Sequence, residues 1–361
     1  MVLQIAHIVY DGEAAYPSTV AMLKTERIPM PSAPANWFTE LVEGTAVDAS
    51  GNLYAGNFRS EDNASSEQPT NTIGRVDTTT HDANLWYTDA IPSSWLNGVR
   101  FLKPLDDSKS SGGRVLMADV RNHRVLELTW PDDLAPPKRA EVKKDGGMQM
   151  RVVCHDPSMI QPNDLAVTPD GRNIYLTGMR VTGNTSVGDL WHCRSDGTME
   201  RFSVAGMGRT NGIEVAPDGE TLYVSEAIGG WTPSASRIWR YRLEPGTGRV
   251  VEKMGLLVDF AKLDGTGDVE VDGMRTDVTG ALYVTRATRN EVIKLSPVGE
   301  LLARIELSFD KPRNLELGGK DGRTLFVAGP CPLPANHSIT VGCIDKVRVS
   351  HPGRAWSELQ S

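Results

Sequence analysis

Long hydrophobic runs and dense clusters of basic residues are both absent from this sequence. No segment approaches the roughly 18 apolar residues of a membrane-spanning helix. The first residues, MVLQIAHIVYDGEAAYP, lack the charged start and long apolar stretch of a signal peptide. The formal net charge is -8, and no Lys/Arg cluster offers a phosphate backbone a basic surface. We therefore expect a cytoplasmic protein whose partner is a small-molecule substrate, with no nucleic acid or membrane partner; the sequence leaves the oligomeric state open.

Cysteine is also scarce, with four residues and no CxxC pair. Four cysteines in so long a chain do not predict a disulfide framework, so buried free thiols are the expectation. Cys331 and Cys343 flank a short loop containing Pro and Asn, and a bridge between them is expected only in an oxidising compartment.

Two catalytic signatures are missing as well. The chain has no GxSxG nucleophile elbow, so a serine hydrolase has no support. Its Gly-rich pieces, Gly112-Gly113 and Gly229-Gly230, have the character of turns and lack the context of a phosphate-binding loop.

What the sequence does contain is a repeat. Six segments share a polar residue, a short alternating apolar stretch, a turn with Gly and often Asp, and a strand centred on an aromatic or aliphatic residue. The segments begin at Glu43, Asn97, Asn163, Asn211, Asp272 and Asn314. Their starts lie 42 to 66 residues apart, which brackets the roughly 40 to 50 residues of a propeller blade with insertions.

The repeat predicts an all-β fold, a six-bladed β-propeller of four-stranded antiparallel blades in a single domain over 1–361. Helical periodicity is hard to find, and 35 Gly with 22 Pro punctuate the chain. Polar stretches at 59–71, 106–113 and 132–147 read as insertions. A two-sheet sandwich is the alternative, but it gives no reason for a polar residue recurring in one place. A first strand over about residues 4–9 is expected to pair with the last blade and protect its edge.

The first residues of the six repeats are the candidate functional residues. Because the innermost strand of every blade lines the central channel, these positions should form one ring around the axis. The ring contains two carboxylates, Glu43 and Asp272, and four amides. Oxygen donors suit a hard cation better than zinc, and a cation would offset the repulsion between two buried acids. The alternative is that each residue caps a turn, as Asn and Asp often do.

These residues resemble a known family, the senescence marker protein (regucalcin) and gluconolactonase family of six-bladed, metal-dependent propellers. The resemblance spans most of the chain. Its most specific pieces are Glu43-Gly44, Pro162-Asn163-Asp164, Asn211-Gly212, Asp272-Gly273-Met274 and the stretch 314–328.

The resemblance implies a lactone hydrolase with one divalent cation. Glu43, Asn163, Asn211 and Asp272 match the family's metal ligands, and Asp272 is also the candidate general base. Ca²⁺ is the predicted ion, with Mg²⁺, Mn²⁺ and Zn²⁺ as alternatives. The cation would polarise the lactone carbonyl while a carboxylate deprotonates the attacking water.

Substrate contacts are predicted at Asn97, Gln161 and Arg286. Family members that act on sugar lactones often carry an arginine two residues before the blade-three Asn, where this chain has Gln161. Thr45 likewise replaces the usual Pro after Glu-Gly. Further candidates for the pocket wall are Trp37, Asn57 and Trp231. Asn97 and Asn314 are also expected to support the ligands indirectly or through water.

Two other functions stay open at this point. A Lewis acid beside a base can enolise a carbonyl, so a metal-assisted isomerase or cyclase acting on a natural-product intermediate is one. A non-catalytic, calcium-binding propeller is the other, since a fold alone does not establish catalysis.

Overall fold

The computed structural model describes residues 20–29, 37–63, 68–105, 112–131, 135–142, 147–182, 185–202, 207–229, 233–332 and 341–360. Two short strands, β1 (Ala21–Lys24) and β2 (Glu26–Arg27), precede the repeats. Six sheets follow around one axis, so the predicted six-bladed β-propeller is confirmed. Each sheet has four antiparallel strands, except that β1 adds a fifth, parallel strand to the sheet of blade 5.

The first three blades run in chain order from the innermost strand outward. They are β3–β6 (Trp37–Val47, Leu53–Arg59, Thr72–Val76, Ala83–Thr88), β7–β10 (Leu96–Leu102, Gly113–Asp119, Arg124–Trp130, Gln149–His155) and β11–β14 (Pro162–Val167, Asn173–Thr182, Thr185–Arg194, Met199–Arg201).

Blades 4 and 5 have the same order, and blade 6 takes its outermost strand from the N-terminal region. They are β15–β18 (Arg209–Val215, Thr221–Gly229, Pro233–Leu243, Val250–Asp259), β19–β22 (Val271–Thr276, Leu282–Arg286, Glu291–Leu295, Leu301–Glu306) and β23–β25 (Asn314–Gly318, Thr324–Pro330, Gly342–Arg348) with β2.

The ring is closed where β2 pairs antiparallel with β25, with Arg27 opposite Asp345. The Asp345 side chain is fully buried and binds Arg27 Nε at 3.1 Å and Thr25 Oγ1 at 2.6 Å. The strand predicted over residues 4–9 lies outside the described residues. The described chain that protects the edge of the last blade is therefore residues 26–27.

Apolar side chains from neighbouring blades form the core. Leu116 and Val125 of blade 2 pack with Leu165 and Ile174 of blade 3, and all four are fully buried. Burying a side chain of this size contributes about 1.5–3 kcal/mol. Successive side chains of a strand point to opposite faces of the sheet, so the remaining apolar side chains of a blade pack against the blade on its other side. Every blade is therefore held on both faces.

The predicted turns form as expected. Asp218 Oδ1 accepts from the backbone N–H groups of Glu220 at 2.8 Å and Thr221 at 2.9 Å. Gly219 has a φ of +69°, which a residue with a Cβ rarely adopts. This turn joins β15 to β16 and fixes the register that places Asn211 on the axis.

The cysteines depart from expectation, because both pairs form disulfides and the free thiols predicted from the sequence are wrong. Cys331 and Cys343 lie on adjacent strands of blade 6 with Cα atoms 5.0 Å apart. Cys154 on β10 and Cys193 on β13 join blades 2 and 3 across a Cα separation of 6.4 Å. Disulfides are most common in oxidising compartments, and the cytoplasmic location stays a prediction.

Among the described residues, helix is confined to a 3-10 turn (Glu61–Asn63) and two short α-helices, α1 (Phe260–Leu263) and α2 (Arg354–Glu358). None of these is long and apolar enough to cross a bilayer.

The C-terminal segment with α2 crosses one end of the channel and contacts every blade. Its hydrogen-bond partners, in blade order, are Val47, Lys103, Val167, Glu214, Val278 and Gly322. All six lie at or beyond the ends of the innermost strands, opposite the ring of candidate residues at the strand starts. We call residues 350–360 the C-terminal plug.

Asp119 provides a prediction about acid stability. Burial alone would raise the pKa of Asp119, but hydrogen bonds from Asn122, Arg124 and the Trp95 N–H outweigh it and hold the pKa below its ordinary value. A lowered pKa stabilises the fold above the unfolded value of 3.8, and this contribution is lost as the pH falls through the folded pKa. Asp119→Asn should therefore lower the free energy of unfolding at pH 7 by about 2 kcal/mol, with the gap closing below about pH 4.

Urea denaturation at a series of pH values measures this gap. The exposed Asp310→Asn is the matched control and should stay close to wild type throughout. A gap for Asp119→Asn that is unchanged from pH 7 to pH 3 would contradict the prediction.

Candidate functional site

The structure brings the six predicted ring residues to the starts of the innermost strands, on the face opposite the C-terminal plug. Glu43 lies within β3, beside an irregularity in its pairing with β4. The others are among the first three residues of their strands: Asn97, Asn163, Asn211, Asp272 and Asn314. Asn163 and Asp272 keep partial solvent access, while the remaining four are buried.

A glycine after most ring residues explains how these strands approach so closely. A Cβ at Gly273 would lie 2.6 Å from Asn314 Oδ1, and a Cβ at Gly98 would lie 2.9 Å from the Leu165 nitrogen. Either contact would push neighbouring blades apart. The pairs Glu-Gly, Asn-Gly and Asp-Gly therefore combine a polar group with room for the next blade.

Three of the amides form a chain of hydrogen bonds from blade 2 to blade 5. Asn97 Nδ2 donates to Asn163 Oδ1, and Asn163 Nδ2 donates to Asn211 Oδ1 at 2.7 Å. Asn211 Nδ2 then donates to Glu270 Oε1 at 3.3 Å, and Glu270 Oε2 forms an ion pair with Arg209. We call Asn97, Asn163, Asn211 and Glu270 the amide chain.

On the other side of the ring, Arg275 and Thr45 orient the Asn314 side chain toward Glu43. Asn314 Nδ2 donates to Glu43 Oε1 at 2.9 Å. Asn314 Oδ1 accepts from Arg275 Nη2 at 3.1 Å and from Thr45 Oγ1 at 3.2 Å. Because Arg275 can only donate, it fixes the Asn314 amide with its nitrogen toward Glu43.

The ionised forms of the two ring carboxylates are disfavoured by their surroundings. Burial raises the pKa of Asp272 well above its ordinary value, the Glu43 and Glu270 charges raise it further, and Arg313 only partly opposes them. Burial also raises the pKa of Glu43 against the effect of Arg313 and the Asn314 hydrogen bond. Added positive charge among these groups would therefore be stabilising.

The donor set fits a hard cation. The ring offers two carboxylates, Glu43 and Asp272, and the amide oxygens of four asparagines. Within the described ranges, no group of three or more His, Cys, Asp or Glu side chains could hold a metal ion. Any cation at this ring would thus depend on amide oxygens together with Glu43 and Asp272, which is a calcium-like ligand set.

The remaining predicted substrate residues are less central. Gln161 is exposed and has a φ of +47° just before β11. Arg286 is fully buried at the end of β20. Its Nη2 donates to Thr266 Oγ1 at 2.7 Å and to the Val269 carbonyl at 3.1 Å, so it holds the loop between α1 and β19. A substrate contact by either residue stays a prediction.

The three candidates for the pocket wall also stay predictions. Trp37 is buried and donates through Nε1 to the Gly342 carbonyl at 2.5 Å. Asn57 is buried and donates to the Leu41 carbonyl at 2.5 Å. Trp231 lies outside the described residues.

Glu270 and Arg209 were missed in the sequence. Each lies two residues before a ring residue, Asp272 and Asn211 respectively, on adjacent blades. A search for opposite charges at this offset from the ring residues would have paired them.

A buried charge network beneath the ring was also missed. Arg275 binds Glu316 at 3.1 Å and Asp164 at 3.3 Å, and Arg100 lies 3.5 Å from Asp164. Arg354 of α2 reaches up to Glu214. This network joins the ring region to the C-terminal plug through Arg354, and its six members are at most 3% exposed.

Comparison with known proteins gives one family match. The family model described as the SMP-30/Gluconolactonase/LRE-like region matches residues 110–329. In curated proteins, 6-deoxy-6-sulfogluconolactonase from Pseudomonas putida is 30% identical over 154 residues, covering 40% of this chain and 48% of the relative. Pentonolactonase XacC from Haloferax volcanii is 27% identical over 165 residues, covering 46% and 52%. The chain thus spans about half the length of these two relatives.

Solved structures share the fold. A luciferin-regenerating enzyme superposes with a TM-score of 0.60 at 18% identity, covering 88% of this chain and 94% of the other. The calcium-binding protein regucalcin from Agrobacterium tumefaciens gives 0.61 at 17% identity, covering 92% and 98%. At these identities the likeness shows a common propeller fold.

Proposed function

This chain belongs to the SMP-30/gluconolactonase/LRE-like family, and we propose that it is a metal-dependent lactonase that hydrolyses a small-molecule lactone. One observation carries the proposal: two carboxylates, the buried Glu43 and the partly exposed Asp272, lie in one ring with the amide oxygens of the neighbouring blades. The two lactonases matched above support the reaction class.

Glu43, Asn163, Asn211 and Asp272 are the residues that would hold a divalent cation, with Ca²⁺ the ion that suits their oxygen donors best. When bound, such a cation would polarise the lactone carbonyl and stabilise negative charge on its oxygen. Its charge would also offset the repulsion that raises the pKa of Asp272.

The protein's own part in hydrolysis is proton transfer and positioning. The Asp272 carboxylate takes a proton from water as the water oxygen bonds to the carbonyl carbon. The ring C–O bond then breaks, and Asp272 returns its proton to the departing alkoxide. Lactone and water thus give one hydroxy acid, and Asp272 is regenerated.

A lactone panel tests the activity. Purified protein is mixed with Ca²⁺ or Mg²⁺ and with five- and six-membered lactones, and acid release is followed by titration at constant pH. Release above the uncatalysed rate supports hydrolysis. Silence on every lactone, with cation binding intact, would favour the isomerase or the non-catalytic calcium-binding alternative.

Cation binding is predicted separately. Metal-free protein should bind one Ca²⁺, and Glu43→Gln should weaken binding by more than about tenfold, because removing a charged ligand costs at least 1.4 kcal/mol. Isothermal titration calorimetry measures both values. The exposed Glu300→Gln is the matched control and should bind like wild type. Equal affinity in Glu43→Gln would remove Glu43 from the site.

A further inference from the structure

The amide chain has a direction. In every link, the nitrogen of one side chain donates to the oxygen of the next, from Asn97 in blade 2 through Asn163 and Asn211 to Glu270 before blade 5. An asparagine has a donor end and an acceptor end, so this chain could in principle run either way. Something must set its direction.

Both Glu270 oxygens face donors: Oε2 pairs with the Arg209 guanidinium, which can only donate, and Oε1 lies 3.3 Å from Asn211 Nδ2. Asn211 must therefore turn its nitrogen toward Glu270 and its oxygen toward Asn163. The same constraint passes to Asn163 and then to Asn97. The acidic end alone accounts for the orientation of all three amides.

The consequence of this direction appears at Asn97, the amide farthest from Glu270. Asn97 gives its nitrogen to Asn163, and its oxygen is left buried with no partner among the described residues. A buried acceptor without a partner costs about 1–3 kcal/mol, so a ligand donor that reaches it gains correspondingly. The Asn97 oxygen is thus prepared for a hydrogen-bond donor.

We propose that Glu270 is a positioning residue that sets the direction of the amide chain, and that Asn97 Oδ1 thereby selects substrates presenting a hydroxyl donor. The substrate part rests on the proposed lactonase function, whereas the direction of the chain does not. Specificity at blade 2 is in this way determined by a charge three blades away.

Glu270→Gln should reverse the chain. Arg209 still demands an oxygen, so the introduced glutamine presents its amino group to Asn211. Asn211, Asn163 and Asn97 must then rotate, and Asn97 turns its nitrogen into the vacant position. Asn97→Asp creates the opposite conflict, because its carboxylate faces the Asn163 oxygen. In the double variant, every donor of the reversed chain again faces an acceptor. The net charge of the protein is the same as in wild type.

A double-mutant cycle in thermal unfolding of the metal-free protein tests the direction without any turnover. Each single variant should lower the Tm. The double variant should melt at least about 2 °C above the value that adding the two shifts predicts. Glu270→Gln combined with the exposed Asn84→Asp is the matched control and should be additive. Additive shifts for Asn97→Asp with Glu270→Gln would overturn the proposal.

Selectivity is tested with α-hydroxy-γ-butyrolactone, which can donate, and α-methoxy-γ-butyrolactone, which only accepts. Wild type should favour the hydroxy compound in KM. Glu270→Gln should reduce that preference by about tenfold, the equivalent of one hydrogen bond, and Glu270→Asp should preserve it. Loss of preference in Glu270→Asp as well would mean a general structural role. If neither lactone is hydrolysed, the thermal cycle still decides the direction of the chain.

Discussion

Asp272→Asn should reduce the rate constant of lactone hydrolysis by about 10³-fold while leaving the propeller folded, since general-base catalysis typically contributes 10²–10⁴-fold. Asparagine preserves the size of the side chain and one oxygen, but it cannot take a proton from water. The Asp272 carboxylate is also the group whose pKa is raised most clearly at the ring, by burial and by Glu43 and Glu270. Replacing it removes the base and relieves the repulsion together.

The measurement is kcat on the best lactone at saturating Ca²⁺, with circular dichroism to verify the fold. Asp268→Asn, an exposed change only four residues away, is the matched control and should retain full activity. A variant Asp272→Asn that keeps more than a tenth of the wild-type kcat would exclude Asp272 as the base. Calcium titration of the same variant separates loss of the base from loss of the cation.

Arg275→Ala should lower the free energy of unfolding by about 3–5 kcal/mol, the cost of removing one partner from a buried ion pair. Burial works to lower the pKa of Arg275, but Asp164, Glu316 and Glu214 outweigh it and raise the pKa. All three carboxylates are at most 3% exposed, and Glu316 loses the arginine that lies 3.1 Å from it. Asn314 also loses the donor that orients it toward Glu43.

Urea denaturation with matched m-values measures the loss. Arg275→Met tests whether the lost volume matters, because it fills most of the space without charge and should be similarly destabilising. Arg348→Ala, which removes an exposed arginine paired with Asp321, is the control and should change stability little. Near-wild-type stability of Arg275→Met would show that the buried charges do not need Arg275.

The propeller and the ring could be predicted from the sequence because both repeat. Turn residues such as Asp218-Gly219 determine the local backbone conformation, through a side-chain acceptor and a positive φ. Each segment therefore shows its hairpin in its own sequence. The ring follows from phase, since one position in six repeats converges on one axis. Asn314 to Glu43 is such a contact, joining residues 271 positions apart.

The other features depend on contacts between blades, which repetition does not encode. Arg209 and Glu270 stand at the same position of two repeats, but the repeat does not show that these two positions carry opposite charges that pair between blades 4 and 5. Cys154 and Cys193 lie 39 residues apart on different blades, so spacing alone gave no sign of their disulfide. Arg354 was invisible for the same reason, because its partner Glu214 is 140 residues away.

The C-terminal plug determines how small molecules can travel. A propeller open at both ends could admit a molecule on one side and discharge another on the opposite side. Here residues 350–360 close the far end of the channel. Arg354 of this segment is fully buried and forms an ion pair with Glu214 below the ring. On the proposed lactonase function, lactone and hydroxy acid would both pass the ring side of the channel. The hydroxy acid would then occupy the path of the next lactone, and we expect it to be a competitive inhibitor.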